Sequence, residues 1–269
     1  MEPITIVAIS NDSFAVHLAT MLFSLFENKE AGTRYRIYII DGDISRHNKE
    51  QLNELLKGYH VSPIYLNVDQ SLYIHCPAWG HVTREAFYRI SIPDLLPGKI
   101  KKALYLDSDM IIKGDLSELW HNEKLKHYLL GAVEDPVDFA GVKLPPGYKY
   151  FNTGVLLMNL EKWRLEDIPS KVLKFIEENP SQIMWWDQDA LNGVLYDRWY
   201  PLDYKWNYQV YRMAHLNIDP VIIHYNTHIK PWNGRTYLQE EYYYYRSRLR
   251  WLELPGPGPK KIYKCRSIF

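Results

Sequence analysis

Two aspartates one residue apart close an apolar, β-rich run, Ala103-Leu104-Tyr105-Leu106-Asp107-Ser108-Asp109. Successive side chains of a strand leave on opposite faces, so Asp107 and Asp109 point the same way as the strand runs out. Two carboxylates held beyond an apolar core repel each other unless a cation sits between them. Mg²⁺ and Mn²⁺ are hard ions that take one or two carboxylates together with phosphate oxygens. The spacing suggests a metal-diphosphate site; a solvated turn after a strand would carry the same tripeptide.

Other residues could complete such a site. His224 follows the apolar run 221–223, and a neutral imidazole at a strand end could complete a metal site with the two carboxylates, or be a satisfied core or surface histidine. Six residues on, Lys230 offers a flexible point charge for a phosphate. Asn152 opens the apolar run 154–158, where it can present an amide or simply form an Asx turn. Asp187-Gln188-Asp189 precedes another apolar run. It reads either as a helix N-terminus favoured by the dipole or as a pair that hydrogen-bonds sugar hydroxyls. Arg89 could reach a diphosphate or a carboxylate, or be a surface charge. Ser10-Asn11-Asp12 ends the first apolar run of the chain.

These residues need a scaffold, and the hydrophobic pattern supplies one. Residues 4–10, 35–40, 61–68 and 103–106 read as strands, and 14–28, 46–56 and 83–96 as helices, the last interrupted by Pro93 and Pro97. Strands 129–133 and 154–158 and helices 161–177 and 187–196 follow. This alternation predicts an α/β fold with a mostly parallel central sheet covered on both faces. In such sheets ligands bind beyond the carboxyl ends of the strands, where Asp107, Asp109 and Ser10–Asp12 all fall.

The 269 residues are 46% hydrophobic and 24% charged, enough for one large domain with a sizeable core. Net charge is zero, so no global field favours nucleic acid. The 22 tyrosines and 9 tryptophans suit either a sugar-stacking surface or thick aromatic packing. Cys76 and Cys265 lie far apart and form no metal-ligand spacing, which points to a reducing compartment. There is no basic leader before the first strand and no membrane-length apolar run. The expected setting is cytoplasmic. From about Tyr242 basic and aromatic residues accumulate, divided by Pro255-Gly256-Pro257-Gly258-Pro259. Residues 1–241 are therefore expected to form the main domain and 242–269 a basic aromatic appendage. That end could hold the protein peripherally on an anionic membrane face, or be a solvated helix and tail. Nothing in the sequence fixes an oligomeric state.

Taken in order, the first strand through Ala15, the segment Thr83 to Arg89, Leu104 to Asp109, Phe151 to Leu160, Trp163-Arg164, Asp187 to Asn192 and His224 to Trp232 resemble glycosyltransferase family 8. That family includes bacterial lipopolysaccharide galactosyl- and glucosyltransferases and glycogenin. The resemblance spans roughly residues 4 to 232. It implies a Rossmann-like, nucleotide-sugar-binding fold of the GT-A type and a UDP-sugar donor, UDP-glucose or UDP-galactose. It implies Mn²⁺ (or Mg²⁺) held by Asp107, Asp109 and His224. On the nucleotide side it implies Ile9, Ser10, Asn11, Asp12, Phe14, Arg89, Ser108, Thr153 and Thr227, with Asp107 and Asn152 shared and Lys230 on the diphosphate. Asn152, Asp187 and Gln188 are the implied catalytic set, and together with Arg89 they match the family's sugar-contacting positions. The acceptor would be a saccharide, lipid-linked or protein group. Asn11 stands where the family usually has Asp, Phe14 where it has Tyr, Ser13 where Asn is frequent, Thr153 where Ala is common and Thr227 where Gly is common.

Family members retain anomeric configuration. A two-step route needs a carboxylate nucleophile at the anomeric carbon. The amide oxygen of Gln188 is a poor one, so attack on the face from which the leaving group departs is expected, with Asp187 the alternative nucleophile. Two further readings compete. Haloacid-dehalogenase-type phosphatases also carry strand-Asp-x-Asp, but on their first strand and without counterparts to the His224 and Asp187 segments. A UDP-sugar-binding protein without turnover would account for the substituted uridine turn.

Overall fold

The computed structural model describes residues 2–77, 84–136 and 140–252. The chain runs through β1 (Ile4–Asn11), α1 (Ala15–Glu27), β2 (Tyr35–Gly42), α2 (Arg46–Lys57) and β3 (Ile64–Leu66). Next come α3 (Ile92–Leu95), β4 (Lys102–Leu106), β5 (Met110–Ile112), α4 (Ser117–Trp120), β6 (Leu130–Ala132) and β7 (Val155–Asn159). The remainder is α5 (Leu160–Leu165), α6 (Ile168–Glu178), α7 (Trp186–Leu195), β8 (Trp199–Pro201), β9 (Tyr208–Gln209), β10 (Ile222–His224) and α8 (Gln239–Arg248).

Seven strands form the central sheet in the order β3-β2-β1-β4-β7-β6-β8. The pairs β3-β2, β2-β1, β1-β4 and β6-β8 are parallel; β7 runs antiparallel to both β4 and β6. This is the expected mostly parallel α/β sheet. Strand parity explains its continuous apolar runs. Ile4, Ile6 and Ala8 of β1 enter one core while Val7 and Ile9 enter the other. Leu104 and Leu106 of β4 divide from Ala103 and Tyr105 in the same way. With both faces covered, nearly every position is apolar. Each fully buried Ile or Leu contributes about 1.5–3 kcal/mol, which makes β1 and β4 a stiff platform for what lies at their ends.

A second sheet, β5-β10-β9, was not anticipated. It begins immediately after Asp109 and packs against α1. Helix α1 is consequently buried along most of its length, whereas α2, capped by Ser45, buries only Leu52 and Leu56.

Several expected elements differ. The helix expected over 83–96 is a 3₁₀ segment, Arg84–Ser91, followed by α3, with Pro93 accommodated in the first turn of α3. Thr83 lies outside the described residues. The helix expected over 161–177 is two helices, because Asp167 adopts a left-handed φ of 50° and Pro169 starts a new first turn. The strand expected over 61–68 is only β3. The boundary expected at 242 falls inside α8, whose Tyr242 and Tyr245 are buried in the core shared with α1. Of the basic residues beyond it, Arg246, Arg248 and Arg250 are described; Cys265, the Pro-Gly run and the later lysines lie outside the described residues. Among the described residues no helix is long and apolar enough to cross a membrane.

Candidate active site

Asp107, Ser108 and Asp109 form the bend by which the chain leaves the first sheet and enters the second. Asp107 N–H donates to the Gly154 carbonyl (2.9 Å), extending the β4-β7 ladder, and Met110 then pairs with His224. Tyr225 N–H donates to the Asp109 carbonyl at 3.1 Å. The register of β5 against β10 is thus what brings residues 109 and 224 together. The imidazole Nε2 of His224 is 3.3 Å from Asp109 Oδ1 and 3.6 Å from Asp107 Oδ2. One ligand atom from each of the three residues lies within 4.8 Å of the others. Gly154 makes room for this approach: a Cβ there would lie 2.3 Å from His224 Cε1 and 3.0 Å from Asp107 Oδ2.

Two cations frame the carboxylates. Lys230 Nζ donates to Asp109 Oδ2 (2.5 Å) and to the Tyr225 carbonyl (2.6 Å). Burial alone would raise the Asp109 carboxyl, but Lys230 and His224 outweigh it and hold the group well below the usual carboxylate range. Arg89, 6% exposed, pairs with Asp107 Oδ1 at 3.2 Å and donates to the Thr153 carbonyl at 2.6 Å. Its Nε is 3.0 Å from Asp187 Oδ2, an ion-pair distance without hydrogen-bond alignment. Its guanidinium lies over the Tyr105 ring, and the Tyr105 hydroxyl donates to Asp107 Oδ1 at 2.5 Å. Burial pushes the Asp187 carboxyl up to about 6; Arg89 opposes that and Asp107 adds to it.

A buried amide network adjoins this cluster. Gln188 Oε1 accepts from Asn152 Nδ2 (3.0 Å) and from Thr153 N–H (3.1 Å). Gln188 Nε2 and Asn152 Nδ2 both donate to Asp135 Oδ2. Asp189, beside them in sequence, has a structural task. Its fully buried carboxylate accepts from the backbone N–H groups of Gly141, Val142, Met184 and Trp185 and from the Tyr150 hydroxyl.

Both groups open into one cleft of about 640 Å³ at the carboxyl ends of β1 and β4. Ile9, Ser10, Asn11, Phe14, Arg89, Ser108, Asn152, Thr153, Asp187, Gln188, Thr227 and Lys230 line it, as do the three metal candidates. Ser108 Oγ donates to the Ile9 carbonyl (2.5 Å), tying the Asp-Ser-Asp bend to β1. Asn11 Oδ1 is occupied by Ser13 Oγ and Phe14 N–H. Phe14 meets Trp232 edge-on at 6.0 Å. Asp12 does not line the cleft. Its carboxylate accepts from Ser45 N–H (2.8 Å) and Asn48 Nδ2 (2.7 Å) and so braces the start of α2. An acid in a turn finds the nearest free donors, and here those belong to α2.

Sequence reasoning passed over Asp135, Asn207, Gly154, Tyr105 and the rim residues Trp185, Trp186, Tyr211 and Arg212. Asp135 carries the signal that marked Asp107, an acid just after an apolar strand. Asn207 carries none, since its partners are set by the second sheet.

Sheet order and cleft define a GT-A type glycosyltransferase fold. The chain belongs to glycosyl transferase family 8, whose model matches residues 5–236. It is 36% identical over 280 residues to General stress protein A of Bacillus subtilis, covering 96% of this chain and 98% of that protein. It is 30% identical over 262 residues to glycosyltransferase GlyF of Streptococcus pneumoniae, covering 93% of this chain and 63% of GlyF. The crystal structure of the galactosyltransferase LgtC, in complex with donor and acceptor sugar analogs, superposes with a TM-score of 0.85 at 24% identity, over 93% of this chain and 98% of that one. Glycosyltransferase GlyE of Streptococcus pneumoniae superposes with a TM-score of 0.71 at 27% identity, over 91% of this chain and 60% of that one. The phosphatase reading leaves the His224 segment without a role, whereas the family match includes it.

Proposed function

We propose that this protein transfers a hexose, glucose or galactose, from a UDP-sugar to a glycan, lipid-linked or protein acceptor, with retention of anomeric configuration and dependence on Mn²⁺ or Mg²⁺. The observation that carries the reading is the convergence of Asp107, Asp109 and His224, with ligand atoms within 4.8 Å of one another, on the floor of the cleft. Two carboxylates and an imidazole are a donor set suited to Mn²⁺. Gly154 supports the fit, because any larger residue would fill the approach to the imidazole. When bound, the ion neutralises charge on the departing diphosphate.

The chain's own residues do the rest. Lys230, whose Nζ lies 2.5 Å from Asp109 Oδ2, shares a phosphate oxygen, a role its buried charge beside the metal candidates supports. Ile9, Ser10, Asn11 and Phe14 take the uridine, with Ser108, Thr153 and Thr227 alongside. Asp12 acts by bracing that turn. Arg89, Asn152, Asp187 and Gln188 hold the sugar hydroxyls, and Asp187 favours positive charge at the anomeric carbon. Gln188 is a weak nucleophile, so the acceptor enters on the face the phosphate leaves, and the departing phosphate oxygen takes its proton. The proposal keeps a cytoplasmic setting; the thiol of Cys76, pushed up to about 11 by burial, is consistent with a cysteine that plays no redox part. It also keeps peripheral membrane contact through the basic aromatic end, to be tested by flotation with anionic liposomes.

The decisive assay is hydrolysis of UDP-glucose and UDP-galactose by the purified protein. Release of UDP from one of them with Mn²⁺, abolished by EDTA and restored by Mn²⁺, is the expected result. Binding without UDP release would indicate a protein that has lost turnover. Hydrolysis of simple phosphomonoesters instead would overturn the reading.

A further inference from the structure

The imidazole of His224 does not stand alone. Its Nδ1 lies 2.8 Å from Oδ1 of Asn207, a residue with no exposed surface. Asn207 Nδ2 in turn donates to Asn152 Oδ1 at 2.8 Å. Asn207 sits between the turn Tyr204–Trp206 and β9, and β9 pairs with β10 in register His224↔Gln209. The second sheet therefore delivers both ends of this contact.

The orientation of each amide follows from groups that cannot turn. Asn152 Oδ1 accepts from the backbone N–H of Gly154 (2.9 Å), and Asn152 Nδ2 faces the carboxylate of Asp135, which only accepts. Asn152 is thereby fixed with its oxygen toward Asn207. Asn207 must answer with its NH₂, which leaves its oxygen toward His224. A neutral His224 ring then carries its proton on Nδ1 and presents the lone pair of Nε2 to Asp107 and Asp109. A lone pair facing two carboxylates is stable only with a cation among them. A ligating imidazole ordinarily has its other nitrogen fixed in this way by an outer partner.

We infer that Asn207 is a positioning residue that sets the tautomer and ring direction of His224 and, through Asn152, keeps the sugar-holding amides in register with the metal ligands. This rests on the proposed function for what the two halves of the site hold, but not for the tautomer itself. A buried chain of three side chains links the cation side to Gln188, whose Oε1 accepts from Asn152 at 3.0 Å.

Two variants separate the two ends. Asn207→Asp keeps an acceptor for Nδ1–H but sets a carboxylate oxygen against Asn152 Oδ1. Asn207→Leu removes both contacts. Titration of Mn²⁺ alone, followed by electron paramagnetic resonance, should show Asn207→Leu binding about 10–100-fold more weakly and Asn207→Asp within about threefold of wild type. At saturating Mn²⁺, hydrolysis of the preferred UDP-hexose should fall about tenfold or more in kcat for both variants, with KM changed less than kcat. The metal-free wild type, labelled with ¹⁵N-histidine and examined at pH 8, should show a proton on Nδ1 of His224, whatever the state of Nε2, which faces two carboxylates there.

A ring with no proton on Nδ1 overturns the inference without need of any variant. So do variants that match wild type in Mn²⁺ affinity and in kcat. If wild type binds no Mn²⁺ at all, the metal-dependent reading fails, while the tautomer measurement still decides the role of Asn207.

Discussion

The backbone of Gly154 lies directly beneath the imidazole of His224: a Cβ at position 154 would meet Cε1 at 2.3 Å and Nδ1 at 2.8 Å. Contacts under 3.0 Å are not tolerated, so one partner must move. Gly154 cannot, because its carbonyl and N–H are bonded to Asp107 N–H and Asn152 Oδ1. Gly154→Ala should therefore displace the ring. We expect a folded protein by circular dichroism that binds Mn²⁺ at least about tenfold more weakly. A Gly154→Ala variant with wild-type Mn²⁺ affinity would show that His224 is not a ligand.

Asp109 bridges the proposed metal and Lys230. Truncation to Ala would leave a buried lysine charge facing only a carbonyl, and breaking such a pair costs about 3–5 kcal/mol. Asp109→Asn is the cleaner change, since it keeps an acceptor for Nζ. It should retain the fold and lose about 10²–10³-fold in UDP-sugar turnover. Turnover within a few-fold of wild type, measured by UDP release, would remove Asp109 from the site.

How far the sequence carried depends on which forces fix each piece. Short apolar runs, β-branched in β1 and β2 and leucine- and tyrosine-rich in β4, made these strands readable, and the carboxylates at the end of β4 followed from them. The apolar run before His224 marked a strand end, yet nothing local said that β10 pairs with β5 and so meets Asp109. Pro169 sits in the first turn of α6, where proline is tolerated; the break before it is made by Asp167 at positive φ. The 3₁₀ winding of Arg84–Ser91 has no periodic signature distinct from an α-helix. Asp12 was readable as a turn residue, but its partners on α2 were not. Asn207 and Asp135 acquire their partners only when two sheets converge, and composition does not reveal that.

His17 offers a test of stability that does not involve turnover. It stacks on Trp232 at 3.5 Å, and its Nδ1 is 2.8 Å from the Tyr242 hydroxyl. Burial lowers its ring to about 4 from an ordinary 6.5; Asp109 opposes the shift, while Arg246 and Lys230 add to it. Between those values the unfolded chain binds the extra proton and the folded one does not. Stability is therefore full above pH 6.5 and falls as pH drops toward 4, by at most about 3 kcal/mol. Denaturant titrations across that window should show a shallower slope for His17→Gln than for wild type. Equal slopes would mean that the ring titrates normally.

The two routes to retention differ at Asp187. Same-face attack predicts that no sugar becomes attached to the protein during turnover, so intact-mass spectrometry of quenched reactions should show the unmodified chain. Asp187→Asn keeps the size of the side chain and loses the charge that faces Arg89 Nε at 3.0 Å. It should lower kcat by about 10²-fold or more. A hexose adduct mapped to Asp187 would establish the two-step route instead.

Residues 107, 109 and 224 are proposed to hold one divalent ion jointly. Anomalous diffraction from crystals grown with Mn²⁺ and UDP locates that ion without reference to activity. A single strong peak is expected about 2.0–2.3 Å from a carboxylate oxygen of Asp107, one of Asp109 and Nε2 of His224. A peak bound elsewhere, or coordinated without the imidazole, would contradict it.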